Sequence, residues 1–203
     1  MATKTIVIFS TKGGVGKTLV AANLAVTLGL YLRRKTALID LDLHAAGDMP
    51  RWLDITADKS ILDLAGDKKN KLTRVDKYDI DFLPGILRPN QAPHLDNQKI
   101  KAVLESLEGQ YDFVIIDAGR AFSESMFSVF NHANLILLVV TPDVLSVYQT
   151  KWSLDVLQSV HIPLSMIKIV LNRAESLGSV SWQEIRAAVP CEIISRIPSD
   201  GKA

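Results

Sequence analysis

Cysteine is almost absent from this chain of 203 residues, in which Cys191 is the only example. A single cysteine can form no internal disulfide and offers too few ligands for a zinc site or an iron–sulfur cluster. The sequence also lacks an apolar run of about 18 residues, the length that a membrane-spanning helix needs, and its first residues lack the basic region and cleavage site of a secretory signal. These absences predict a protein of the reducing cytoplasm.

An excess of either charge is missing as well, because 23 Lys and Arg residues stand against 22 Asp and Glu residues. The overall charge therefore gives no reason to expect a polyanion held by bulk electrostatics. Basic residues are concentrated in the first half, around Lys68, Lys69, Lys71 and Arg74, and we interpret that segment as a solvated loop. The composition argues against a nucleic-acid partner.

Hydrophobic residues make up 48% of the chain and occur in short runs separated by longer segments of helical periodicity. Two of the runs, in residues 113–118 and 135–140, are continuously apolar and so predict strands covered on both faces. The fold class expected is α/β, with three α/β/α layers and a mostly parallel central sheet. Strands are predicted at 5–9, 36–39, 80–83, 113–116, 135–140, 167–171 and 192–197, and helices at 17–32, 97–107, 124–132, 144–160 and 181–188.

The length predicts a single domain over residues 1–203. The chain stops shortly after a predicted strand that such a sheet normally covers with a helix, so a piece of a longer protein is the alternative. The segment Pro84–Pro93 contains three prolines and is interpreted as a surface excursion rather than a linker.

A glycine-rich loop joins the first predicted strand to the first predicted helix, in the order Ser10, Thr11, Lys12, Gly13, Gly14, Val15, Gly16, Lys17, Thr18. Such a loop directs backbone N–H groups toward an anion at a helix N-terminus, and glycine allows positive φ and close approach to phosphate oxygens. Lys17 is placed to reach the β and γ phosphates of a nucleotide, and the Thr18 hydroxyl to ligate Mg²⁺. An ordinary glycine turn would not require Lys-Thr at its exit.

Lys12 adds a second positive charge ahead of the glycine pair, for which a single subunit has no obvious use. With this residue the loop resembles the deviant Walker A motif KGGxGKT of the MinD/ParA family of P-loop ATPases, of the SIMIBI type. The resemblance covers nearly the whole chain and implies an ATP-sandwich homodimer. In that family the matching lysine crosses the interface to the partner's nucleotide, and this role falls to Lys12.

Acidic residues end two of the predicted strands. Asp40 and Asp42 lie at the carboxyl edge of the sheet, where two carboxylates suit a magnesium nucleotide. Asp117 ends a hydrophobic strand in the Walker B manner. The family resemblance implies that Asp42 activates the attacking water and that Asp40 and Asp117 help hold Mg²⁺. The sequence departs from the family after Asp117, where Ala118, Gly119 and Arg120 replace a proline-containing run; Arg120 is interpreted as a surface residue rather than an electrostatic helper.

Asn172 and Arg173 follow another apolar strand, so they lie at the same edge, where an amide can read an adenine edge. The resemblance implies that Asn172 bonds the purine and that the loop at Pro198 packs on the base. A strand-end turn residue is the alternative for Asn172. The full set of predicted nucleotide-binding residues is Lys12, Gly13, Gly14, Val15, Gly16, Lys17, Thr18, Leu19, Asn172, Arg173 and Pro198; Lys12, Lys17 and Asp42 are the predicted catalytic residues, and Thr18, Asp40 and Asp117 the metal ligands.

Within the family the sequence looks closest to the pilus-assembly ATPases called CpaE or TadZ. The predicted function is therefore an ATP- and Mg²⁺-dependent switch that dimerises on ATP and recruits protein partners of a pilus, secretion or positioning system. Membrane contact is expected only through partners, with recruitment to a cell pole or the inner membrane face. The alternatives are a DNA-partition ATPase of the ParA type, a nucleotide-bound scaffold that does not hydrolyse, and a P-loop ligase acting on a small carboxylate. The iron–sulfur relatives are excluded by the missing cysteines.

Overall fold

An eight-stranded sheet forms the centre of the computed structural model, which describes residues 2–43, 48–64, 72–176 and 180–200. Its strand order is β3-β4-β2-β5-β1-β6-β7-β8. Every neighbouring pair is parallel except β3 with β4 at one edge. The strands are β1 Lys4–Phe9, β2 Thr36–Asp40, β3 Thr73–Val75, β4 Ile80–Pro84, β5 Phe113–Asp117, β6 Leu135–Val140, β7 Ile167–Asn172 and β8 Ile193–Ile197.

Helices cover both faces of this sheet. They are α1 Lys17–Val26, α2 Asp48–Leu53, α3 Ile61–Leu64, α4 Asn97–Leu107, α5 Glu124–His132, α6 Val144–Ser159 and α7 Trp182–Ala188. The buried side chains of α1 and α2 pack with one set of strand residues, and those of α3 to α7 pack with the other set. Two separate apolar cores follow, because adjacent strand residues point to opposite faces. The predicted three-layer α/β fold with a mostly parallel sheet is confirmed.

The first predicted helix is shorter than the pattern suggested. α1 ends at Val26, and residues Thr27–Tyr31 continue as a π-helix. Gly29 lies in this segment, where a Cβ atom would come within 2.7 Å of the Asp79 carbonyl oxygen and 2.5 Å of the Ile80 side chain. The wider turn therefore accommodates a close backbone crossing that periodicity alone does not reveal.

Three short elements were missing from the prediction: β3, α2 and α3. Each has six residues or fewer, too few to establish a period. The proline-rich segment is not simply a surface excursion, since Pro84 completes β4 and Ile86 is buried in the core, while Pro89–His94 forms a 3₁₀ turn. Lys68, Lys69 and Lys71 lie outside the described residues, and no helix among those described is both long and apolar enough to cross a membrane.

The parallel register brings the carboxyl ends of β1, β2 and β5 together. Asp117 is paired in register with Ile8 of β1 on one side and with Asp40 of β2 on the other. On the far side of β1, the pairing of Asn172 with Ile197 aligns the ends of β7 and β8. The residues that follow all these strands therefore share one edge of the sheet.

Candidate functional site

The loop from β1 to α1 forms a cradle of backbone groups at this edge. Gly14 and Gly16 have φ angles of 73° and 95°, conformations that a side chain would strain. Gly16 is the residue that precedes α1, so the open N–H groups of the first helical turn face the cradle. The Ser10 hydroxyl accepts a hydrogen bond from the Lys12 N–H at 3.2 Å, which helps fix the entry to the loop. The predicted anion-binding geometry is thus present.

Lys17 is buried at the base of the cradle, where it remains only 6% exposed. Burial lowers the pKa of its ammonium group, whereas the nearby Asp117 and Asp42 carboxylates oppose that change. Thr18, the next residue, lies half-buried at the start of α1. An ammonium partly stripped of water is suited to bind a phosphate oxygen.

Asp40 and Asp117 form a buried acidic pair beside Lys17. Burial and the neighbouring Asp117 raise the pKa of Asp40 well above its ordinary value, although Asp40 Oδ1 accepts the Asp42 N–H at 3.0 Å. Burial raises the pKa of Asp117 to about 6, against the opposing influence of Thr18 and Lys17. Two buried carboxylates this close repel each other, and a bound cation would offset that repulsion.

The acidic residues fit a magnesium ion that is held jointly with a nucleotide. Both carboxylate oxygens of Asp117 are buried and make no hydrogen bond of good geometry to the described residues. Among those same residues, no three His, Cys, Asp or Glu side chains converge closely enough to hold a metal by themselves. An ion here would therefore need phosphate oxygens, the Thr18 hydroxyl and water as further ligands, which is how P-loop proteins hold Mg²⁺.

Lys12 does not point at its own cradle but is bound to the start of α6. Its Nζ lies 2.6 Å from Asp143 Oδ2, and the Thr141 hydroxyl donates to the same oxygen at 2.7 Å. Burial alone would raise the pKa of Asp143, but these two donors and the Ser146 N–H hold it below its ordinary value. Asp143 also caps α6 through that Ser146 N–H. In this conformation Lys12 is thus paired within its own subunit.

Arg120 lies against the cradle, although the sequence favoured a surface position. Its side chain is solvent-exposed, yet Nη1 would be 2.8 Å from a Cβ atom at Gly13. Arg120 also lowers the pKa of Lys17, after the larger effect of burial. The interpretation as a mere surface residue was therefore incomplete, because a loop three residues beyond Asp117 folds back over the glycines.

The predicted base-binding residues are brought to the same edge but differ in their contacts. The Asn172 amide donates to the Val15 carbonyl at 2.8 Å, and its oxygen accepts the Arg173 N–H at 3.0 Å. Asn172 therefore supports the cradle from behind, and a purine contact would use its remaining amide hydrogen. Arg173, with a φ of 56°, and Pro198 are exposed beside it. Their contacts with a base stay predictions.

An exposed apolar surface on α6, here named the α6 stripe, adjoins the cradle. It consists of Val144, Leu145, Tyr148 and Trp152, which are 50–72% exposed. A cavity of about 630 Å³ lies between Tyr148, Trp152, Phe122 and Arg120. Neither the α6 stripe nor Asp143 was predicted from the sequence, although an Asp directly before a helical segment is a recognisable N-cap signal.

Comparisons with known proteins agree with this geometry. The ParA family model, described as NUBPL iron-transfer P-loop NTPase, matches residues 1–179. An uncharacterized ATP-binding protein of Methanocaldococcus jannaschii is 28% identical over 96% of this chain and 74% of its own length. The iron-sulfur cluster carrier protein of Helicobacter pylori is 24% identical, over 97% of this chain and only 57% of the carrier. The septum site-determining protein MinD of Pyrococcus horikoshii, complexed with Mg-ADP, superposes with a TM-score of 0.85 at 26% identity, covering 98% of this chain and 82% of that protein.

Proposed function

Because the chain belongs to the ParA family of P-loop NTPases, we propose that it binds and hydrolyses ATP with Mg²⁺ and that ATP converts it from monomer to homodimer. The observation that carries this proposal is the buried Asp117 carboxylate, which has no good hydrogen-bond partner among the described residues, beside Lys17 and the glycine cradle. A buried carboxylate is costly unless it is paired or helps bind a metal. A magnesium ion bound with the nucleotide would supply the positive partner that the Asp117 carboxylate lacks.

Hydrolysis is assigned to Asp42, which follows β2 and remains 9% exposed. Its charge acts on both Lys17 and Asp117, so it stands within the same electrostatic cluster as the predicted phosphates. A carboxylate at this point can orient and activate water in line with the phosphoryl group. The Mg-ADP in the Pyrococcus horikoshii MinD structure supports adenine as the base.

Dimerisation is supported by Lys12 and the α6 stripe. Lys12 is bound to Asp143 within its own subunit, and release from this pair would free it for a nucleotide held by a second copy. The α6 stripe begins directly after Asp143 and offers apolar surface that is continuous with Lys12. Closure of two copies face to face would bury that surface and bring each Lys12 to the other's phosphates.

The cellular role proposed is a spatial or assembly switch of a pilus or secretion system, working in the cytoplasm and recruited to the membrane or a cell pole by protein partners. Support comes from the sequence segments 40–54, 60–66, 83–93, 139–157 and 169–175, which resemble the CpaE and TadZ ATPases. Iron transfer, which is named in the family description, is not extended to this chain, because its single cysteine is buried.

The test is the molar mass in solution, measured by light scattering with ADP and with ATP, for the wild type, Asp42→Ala and the exposed control Asp58→Ala. We expect ATP to convert monomer to dimer, the Asp42→Ala dimer to persist and the control to behave as the wild type. If the molar mass is the same with ADP and ATP and no phosphate is released, the chain is instead a nucleotide-bound scaffold. The run Ala118-Gly119-Arg120 is the sequence feature that favours this alternative.

A further inference from the structure

We propose that Arg120 binds the terminal phosphate of ATP from within its own subunit. The inference rests on the proposed ATPase function and adds a residue that none of the predicted motifs contains. The guanidinium group of Arg120 lies directly over Gly13, so that a methyl group at that glycine would stand 2.8 Å from Nη1 and 3.6 Å from Cδ. A side chain that occupies this space already lies where a phosphate in the cradle would be met.

The charge of Arg120 is not balanced by a carboxylate. Within the described part of the chain its side chain has no hydrogen bond and no ion pair, whereas Arg74 pairs with Asp79 and Asp81. Its positive charge acts on Lys17, a like charge, and lowers the pKa of that ammonium after the larger effect of burial. Two cations that converge on a cradle of N–H groups mark a place for an anion of high charge.

The loop that carries Arg120 packs against the segment that carries the acidic residues. Arg120 follows Asp117 by three residues, and the intervening Gly119 would bring a Cβ to 3.4 Å from the Leu41 carbonyl. The loop after β5 is thus packed against the segment that carries Asp40 and Asp42. A guanidinium held there can donate two parallel hydrogen bonds to one phosphate group, a geometry that lysine does not reproduce.

Arg120 and Lys12 would act on different nucleotides in this arrangement: Arg120 on the nucleotide of its own subunit, and Lys12 on that of a second copy. Lys12 is held by Asp143 in the isolated subunit, at an Nζ–Oδ2 distance of 2.6 Å, so it contributes nothing to its own cradle. Arg120 is free of such a partner among the described residues and acts in cis, before any dimer forms. The consequence is that a monomer should already distinguish ATP from ADP through Arg120.

The experiment is calorimetric titration with Mg²⁺ and either ADP or a non-hydrolysable ATP analogue, at chain concentrations at which light scattering shows that the chain stays monomeric with the analogue. The variants are Arg120→Ala, Arg120→Lys and the control Arg186→Ala, an exposed arginine on α7. We expect Arg120→Ala to weaken binding of the ATP analogue roughly tenfold to a hundredfold, as for a lost hydrogen bond to a charged group, and to change ADP binding less than about twofold. Arg120→Lys should recover part of the loss.

A double-mutant cycle with Gly13→Ala tests the contact itself. Gly13 has no positive φ, so alanine is tolerated by the backbone but displaces the flexible guanidinium. We expect Gly13→Ala to weaken binding of the ATP analogue in the wild type and much less in the Arg120→Ala background. Thermal melts of every variant verify that the fold is intact.

Three results would overturn the inference. Unchanged binding of the ATP analogue by Arg120→Ala, or equal Gly13→Ala effects in both backgrounds, removes the phosphate contact and leaves the ATPase proposal standing. Tighter binding by Arg120→Ala means that the guanidinium blocks the cradle. A wild-type chain that binds neither nucleotide overturns the ATPase proposal, and the role of Arg120 falls with it.

Discussion

Asp117 illustrates at the scale of one residue how a functional group can work against the fold. Its pKa is raised from 3.8 to about 6 by burial. The folded chain therefore keeps a proton on this carboxyl at pH values where the unfolded chain has released it. Because the folded state binds more protons, stability falls as the pH rises through the window from about 4 to 6. The pKa of Asp40 is raised as well, so this residue also lowers stability as the pH rises.

Replacing Asp117 by Asn should stabilise the metal-free chain. A pKa change from 3.8 to about 6 corresponds to roughly 3 kcal/mol of unfavourable burial at neutral pH, and the amide removes that charge. Urea unfolding in EDTA at pH 4.5 and pH 7.5 measures this. We expect a higher midpoint for Asp117→Asn at pH 7.5, a gain of about a third of that size at pH 4.5, and no effect of Asp58→Asn. A lower urea midpoint for Asp117→Asn at pH 7.5 would contradict the conclusion that the buried Asp117 charge destabilises the metal-free fold.

Local motifs in the sequence predicted the chemistry of the cradle, but they did not predict which distant residues contact it. The glycine spacing and the Lys17-Thr18 pair specify a phosphate loop because each residue type answers a local requirement. The Lys12–Asp143 pair joins residues 131 positions apart, and no periodicity predicts such a contact. The support of Val15 by Asn172 was hidden for the same reason. Arg120 is exposed as predicted, but its position beside Gly13 depends on the tertiary packing of its loop and was not predictable from the sequence.

Among the secondary-structure elements, the π-helix after α1 allows a prediction about stability. Gly29→Ala would place a Cβ within 2.7 Å of the Asp79 carbonyl oxygen, which belongs to the backbone and cannot rotate away. We expect a loss of about 1–3 kcal/mol in the free energy of unfolding, in the range seen for overpacked sites. The control is Thr27→Ala, exposed in the same segment, which should be near neutral. Chemical denaturation compares them, and an unchanged Gly29→Ala midpoint would show that the crossing relaxes.

Elements with strong periodicity or clear caps were predictable, and short ones were not. α4 and α5 span the residues expected, and α7 begins at a Ser181–Glu184 capping box, within the predicted range 181–188. The first helix was predicted to run to residue 32 because the apolar pattern continues through Thr27–Tyr31, which form a π-helix in the structure. β3 has only three residues and pairs antiparallel to β4, so it is defined by its neighbour rather than by its own sequence.

The pairing of Lys12 with Asp143 should influence the assembly of the whole molecule. Asp143→Asn removes the negative charge and keeps an oxygen that can cap Ser146. With both side chains of the pair partly exposed, its contribution is about 0.2–1 kcal/mol. We therefore expect the ATP concentration for half-maximal dimer to fall roughly twofold to fivefold.

Light scattering across an ATP titration measures that shift. Asp155→Asn, an exposed aspartate on the same helix, serves as the matched control and should titrate as the wild type. If Asp143→Asn required as much ATP as the wild type, or more, the pair would have no restraining effect on the dimer.

α6 connects two surfaces of the molecule through a single rigid body. Its first residue follows the carboxylate that holds Lys12, and its outer side is the α6 stripe. A molecule that shifted this helix on binding the stripe would change the environment of Asp143, and through Lys12 it would alter the affinity of the dimer for ATP. Thermodynamic reciprocity then requires ATP to alter the affinity of the stripe by the same factor. A binding partner of α6 could consequently be detected through the nucleotide alone, as a change in the ATP dissociation constant that ADP does not share.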